Sequence, residues 1–191
     1  MGRFEAGRFN GFVKKGLVKG IYNDFRNCLM HNERDVHAAA YGNMRKFLKV
    51  NNRDERLFVQ CEPMLKGRSN RRTKPDVVIF NNRDQPVYVV EFKVFRKPER
   101  INIHALVDDL EKLKMLVKKH ELSYGFLVVV YDSELGLLMT DSCLRKQGYE
   151  RISVVEINMR LDIKTGRQRR NYPEWRERFD ATWNGQRNQA A

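Results

Sequence analysis

The sequence predicts an α/β fold, a mixed central sheet flanked by helices with extensions at both ends. Three observations predict it. Two apolar runs, "PDVVIF" and "PVYVVEFKVF", are joined by the polar "NNRDQ" and read as a hairpin. A helix-spaced pattern precedes the hairpin, and a second follows it. The next run, "YGFLVVVYD" (124–132), is almost continuously apolar and β-branched, as suits a strand covered on both faces. A hairpin, a crossover helix and a further strand give a sheet of mixed direction.

Taken in order, residues 1–20 carry five glycines and the loose repetition "GRFEAGRFNGF". They read as part of a basic N-terminal arm over 1–30. Whether it lies on a polyanion, hangs free or docks as a strand stays open. "NERDVHAAAYGNMRKFLKV" predicts a helix capped by Asn32, with Glu33, Val36, Ala40, Met44 and Phe47 on one stripe. "RLFVQCEPML" (56–65) predicts a short strand, and "KGRSNRRTK" (66–74) a basic loop. After the hairpin, "INIHALVDDLEKLKMLVKKH" predicts a helix with Ile103, Leu106, Leu110, Leu113 and Val117 on its apolar stripe. "ELGLLMTDSCLRKQGY" reads as a further helix and "RISVVEINMRL" (151–161) as the final strand. The remaining residues, 161–191, form a basic, aromatic tail with a helix starting at Pro173. The core domain therefore spans 31–160, and no solenoid-length repeat is visible.

Composition narrows the class of function. Among 191 residues, 37 are Lys or Arg against 24 Asp or Glu, a net charge of +13. Such an excess points to a polyanionic partner, nucleic acid above all. Hydrophobic residues make up 41%, enough for a packed core rather than a disordered chain. Cys28, Cys61 and Cys143 are odd in number and far apart, which argues against a disulfide framework and for a reducing compartment. Cys28 and His31 lack a second ligand pair, so structural zinc is not expected. The N-terminus lacks the apolar core of a secretory signal, and no run is long enough to span a membrane. A soluble, cytoplasmic protein with no membrane partner is the expectation.

Three charges stand inside the most apolar stretch: Asp76, Glu91 and Lys93. On "VYVVEFKVF" the period of two sends Val87, Val89, Glu91, Lys93 and Phe95 to one face. Tyr88, Val90, Phe92 and Val94 take the other. Both faces are apolar, so the strand is central, and Glu91 and Lys93 emerge side by side. The "NNRDQ" turn folds the preceding strand back antiparallel, bringing its opening residue, Asp76, towards Glu91. A cross-strand salt bridge needs one acid. Two converging carboxylates repel unless a cation or proton lies between them. Hard oxygen donors with open positions suit Mg²⁺, which keeps waters and accepts phosphate oxygens. A neighbouring lysine can position the attacking water or stabilise developing charge.

The string "KPDVVIF…VVEFKV" resembles the PD-(D/E)XK, or restriction endonuclease-like, nuclease superfamily. The motif is carried by Pro75-Asp76 and by Glu91-Phe92-Lys93, and the resemblance covers roughly residues 31–132. It implies a restriction endonuclease-like αβββαβ core. It implies that Asp76, Glu91 and the Phe92 backbone carbonyl hold the metal, and that Lys93 is catalytic. Many members add an acid from the first helix, and Glu33 fits that place. The function implied is a Mg²⁺-dependent endonuclease acting on DNA, with Mn²⁺ as a substitute ion and RNA as a second candidate substrate. Cutting both strands would call for two sites and hence a homodimer. The alternative from the residues themselves is a nucleic-acid-binding module of the same fold that does not cut. A structural assembly protein is a third possibility, and the convergent acids count against it.

The remaining candidates divide between site and surface. Arg68, Arg71, Arg72 and Lys74 precede Asp76 and are expected to contact nucleic-acid phosphates. Arg167, Arg169 and Arg170 are expected to do the same, whereas Trp175, Phe179 and Trp183 read as a face docking the tail on the core. His37 reads as a satisfied helix histidine rather than one facing substrate phosphate, Glu62 as equally a strand-edge acid or an outer metal contact. Asp108, Asp109 and Lys112 read as a solvated helix face rather than a border of the cleft.

Overall fold

The computed structural model describes residues 3–26, 33–51, 57–66, 72–95, 103–132 and 149–160. The chain opens with α1 (Arg3–Gly11), a π-helical turn (Phe12–Leu17) and α2 (Val18–Arg26). Then come α3 (Glu33–Asn51), β1 (Phe58–Cys61), β2 (Leu65–Lys66), β3 (Arg72–Thr73), β4 (Val77–Phe80) and β5 (Pro86–Phe95). The crossover helix α4 (Ile103–Lys119) leads to β6 (Tyr124–Tyr131) and β7 (Ile152–Asn158). Five strands form one sheet in the order β1-β4-β5-β6-β7. The β1–β4 and β4–β5 pairs are antiparallel, and β5–β6 and β6–β7 are parallel. This is the mixed, helix-flanked α/β sheet that the hydrophobic pattern predicts, and it is compatible with a restriction endonuclease-like core.

Strand alternation produces two apolar layers. Val77, Ile79, Tyr88, Val90, Phe92, Phe126 and Val128 face the first three helices. Val78, Val89, Leu127 and Val129 face Leu106, Leu110, Leu113 and Leu116 of α4. Each such side chain contributes about 1.5–3 kcal/mol by leaving water. β5 lies in the middle, apolar on both sides, which is why a charge on it has nowhere dry to go unpaired.

The N-terminal segment corrects the expectation of a basic arm over 1–30. Phe9, Val13, Leu17, Ile21 and Phe25 recur every fourth residue and are buried against the sheet. A strict four-residue spacing drifts around a 3.6-residue helix. The π-helical turn holds more residues per turn and brings Val13 and Leu17 back to the buried side. Gly20 lets α2 lie close to Asn43 of α3, where a Cβ would come within 2.8 Å of the Asn43 amide and displace that side chain. The glycines that argue for a loose arm are thus, at this position, a close helix contact.

Two smaller departures follow. The 66–74 stretch is not all loop, because Leu65 pairs with Thr73 and Lys66 with Arg72 in a two-residue ladder. The buried stripe of α3 is Val36, Ala40, Met44 and Leu48, with Phe47 only partly buried and Glu33 at its solvent-facing start. The helices expected at 134–149 and after Pro173 lie outside the described residues, Tyr149 excepted, as do the tail arginines and aromatics. Among the described residues, no helix is long and apolar enough to cross a membrane.

Candidate active site

Strand register builds the centre. Val77 stands opposite Val90 and Val78 opposite Val89, so Asp76 falls opposite Glu91, one step before the ladder begins. Freed from pairing, the Asp76 carboxylate accepts a hydrogen bond from the Phe92 N–H at 2.7 Å. In a strand the N–H and C=O of one residue point to the same side, so the Phe92 carbonyl also faces Asp76. Asp76 is held from its own backbone as well: its carbonyl accepts the Glu62 N–H at 2.8 Å. Glu62 reaches that bond with φ at 49°, a left-handed turn that ends β1 beside the site.

Glu91 is 3% exposed, and its carboxylate turns to the α4 side of the sheet. Burial, then the charge of Asp76, pushes its pKa up to about 8, against the opposing pull of Lys112. Lys112 Nζ sits 2.7 Å from Glu91 Oε1 and also donates to the Lys74 carbonyl at 3.1 Å. Lys93 Nζ lies 3.0 Å from Asp109 Oδ2. Burial works against the charge on Lys93. Asp109 beside it, with Glu33 and Asp76 further off, outweighs burial and raises its pKa above the ordinary lysine value.

From the other side of the sheet, α3 contributes its first turn. His37 Nε2 is 3.4 Å from Asp76 and 4.0 Å from Glu33, and its ring packs 5.3 Å from that of Phe92. Glu33 is half-buried at the mouth. Lys74 is exposed and paired with Glu62. Arg68 and Arg71 lie outside the described residues, and of Arg72 only the backbone, in β3, is described.

The structure thus gathers Asp76, Glu91, Phe92, Lys93 and Glu33, and adds three groups. Asp109 and Lys112 are corrected from a solvated face to direct partners of the strand charges, and His37 is a partner of Asp76. Their signal is helical phase. Asp109 and Lys112 are three apart and flank the buried Leu110 and Leu113, a separation of roughly 5–6 Å between Cβ atoms. Glu91 and Lys93 are two apart on a strand, about 6.6 Å. The spacings match, and the pairs meet with opposite sign.

The donor set fits an open oxygen-ligand ion. Asp76, Glu91 and the Phe92 carbonyl are hard donors, and Mg²⁺ takes one or two carboxylates while keeping water. Among the described residues, no three His, Cys, Asp or Glu side chains form a metal-holding group.

No family model and no curated protein matches the chain. Among solved structures, the chain is similar to one described as "cryoEM structure DrdV-DNA complex", at 17% identity and a TM-score of 0.37. The match covers 49% of this chain and 9% of that one. A likeness so low carries no argument, and the functional reading rests on the side chains themselves.

Proposed function

We propose that the protein is a metal-dependent nuclease that hydrolyses phosphodiester bonds of DNA by endonucleolytic attack of water. The observation that supports this reading most is the forced meeting of Asp76 and Glu91. Two carboxylates converge on a central strand, one of them buried and with its acidity suppressed. Structural roles do not need that surplus of negative charge, whereas a divalent ion would relieve it.

In this reading Asp76, Glu91 and the Phe92 carbonyl hold Mg²⁺, or Mn²⁺ in its place. When bound, the ion supplies a Lewis acid for the phosphoryl oxygen and acidifies a water. The Phe92 N–H fixes the angle of the Asp76 carboxylate. Lys93, kept charged by Asp109, offers its ammonium to the attacking water or to the charge that grows on phosphorus. Glu33 and His37 bound the site on the α3 side and orient Asp76. Net charge +13 favours the polyanionic substrate.

One observation favours the second reading, a binding module that does not cut. The pairs Glu91–Lys112 and Lys93–Asp109 already offset one another's charge. Incubation with DNA and RNA forms in Mg²⁺, Mn²⁺ or chelator separates the two. Metal-dependent cleavage that Asp76→Asn abolishes is the result expected of a nuclease. Asp76→Asn is further expected to bind DNA more tightly than wild type in chelator and to lose the gain that Ca²⁺ confers. Equal Ca²⁺ dependence in both proteins would remove Asp76 as a ligand, and absence of cleavage with every metal would leave the binding module.

A further inference from the structure

The helix α3 has a second stripe that the candidate site does not use. Arg34, Ala38, Tyr41, Arg45 and Lys49 follow one another at intervals of four, three, four and four, on the flank away from the buried Val36–Leu48 row. Arg34, Arg45 and Lys49 are exposed. The Arg45 guanidinium lies over the Tyr41 ring, 5.7 Å from its centroid, which limits its freedom before any ligand arrives.

This stripe borders a groove. Tyr41, Arg45, Lys46 and Lys49 form one wall, and Leu57, Phe58 and Val59 of the edge strand β1 and its approach form the other. Among the described residues lining it, three are cations and none is an acid. At its other end the stripe reaches the candidate active site, because Arg34 adjoins Glu33 and acts electrostatically on Glu62. The helix dipole explains Lys49 in the last turn but not Arg34 in the first, where a cation is disfavoured. From Arg34 to Lys49 the helix rises about 22 Å. That equals the axial rise of roughly six base pairs of a duplex, at about 3.4 Å each.

We propose that the α3–β1 flank is a phosphate track, which holds the backbone of duplex DNA as it leads away from the Asp76–Glu91 centre. Its place beside a scissile bond rests on the nuclease reading; the binding itself does not. Arg34 and Arg45 contact phosphates near and far from the site, Lys49 extends the contact, and Tyr41 keeps Arg45 aimed into the groove.

The test is the salt dependence of binding to a 30-base-pair duplex in chelator. Arg45→Gln/Lys49→Gln should reduce the slope of log K against log salt by about 1.8, since each phosphate contact contributes about 0.9. Lys15→Gln/Lys19→Gln makes the same charge change at exposed positions on the π-helical turn and α2, and should leave the slope nearly unchanged. Arg34→Gln supplies a second, single-site variant and should lower the slope by about 0.9. Equal loss in the Lys15/Lys19 control, an unchanged slope in the track variants, or no duplex binding by wild type would each overturn the track. Track-sensitive binding without metal-dependent cleavage would retain the track and overturn the nuclease.

Discussion

Two buried carboxylates lie in neighbouring strands, and they behave as opposites. Asp132, just past β6, is 1% exposed and accepts the Arg160 Nε at 2.9 Å. Glu91, within β5, is 3% exposed and shares its surroundings with Asp76, Asp109 and Lys112. One acid meets a matched cation. The other has its pKa pushed up to about 8 by burial and then by the charge of Asp76, which together outweigh the pull of Lys112. Burial alone therefore does not mark a functional acid. Like charge beside a buried acid makes it a candidate, because packing alone does not call for it.

The largest expected effect breaks the pair by activity. Glu91→Gln should lower Mg²⁺-dependent cleavage by at least about a hundredfold, beyond the loss typical of an outer-shell partner. Its thermal melt should not fall. A lost fold together with lost cleavage would make Glu91 structural, like Asp132.

Next in size is the converse. Asp132→Ala removes the Asp132–Arg160 ion pair and should cost about 2–4 kcal/mol in denaturant unfolding, tempered by the partial exposure of Arg160. Nucleic-acid affinity measured below the melting range should stay unchanged. A variant as stable as wild type would show that the Asp132–Arg160 pair does not hold the fold.

Proton linkage sharpens the contrast. The folded protein holds the Glu91 proton more tightly than the unfolded chain, so between pH 4.5 and about 8 it binds more protons. Stability from this group is fully present below 4.5 and is lost as pH rises towards 8, at up to about 1.4 kcal/mol per pH unit. Melts across that window should show Glu91→Gln gaining on wild type as pH rises. A constant difference would mean that Glu91 is ionised in the fold at every pH tested.

The smallest effect concerns the compensating cation. Lys112 lowers the Glu91 pKa, so Lys112→Met should carry the fall in stability beyond pH 8. An unmoved window would show that Lys112 acts on the Lys74 carbonyl rather than on Glu91.

The sequence made one side of this contrast legible. A strand period of two and a five-residue turn fix which residues share a face and an end, so Asp76, Glu91 and Lys93 converge from spacing alone. Helical phase is less decisive. Asp109 and Lys112 flank a stripe whose centre is plain, but whether a flanking residue meets solvent or a strand depends on how α4 crosses β5. The N-terminal helices escaped for another reason. Their fourfold spacing matches neither period, and it becomes one face only with a π-helical turn inserted. Asp132 gave no sign, since its partner lies 28 residues away across a parallel pair.

The antiparallel β4–β5 pair is closed by a five-residue turn, whereas Lys112 stands on the crossover helix α4 that follows β5. Sequence-local pairs close faster than distant ones. Were the β4–β5 hairpin to form before α4 docks, the two acids would meet without the ammonium of Lys112, and their repulsion would add to the folding barrier. Glu91→Gln is expected to speed refolding more than it slows unfolding, as chevron kinetics at pH 8–9 would show. A gain in refolding rate in that variant would place the Asp76–Glu91 contact in the folding transition state.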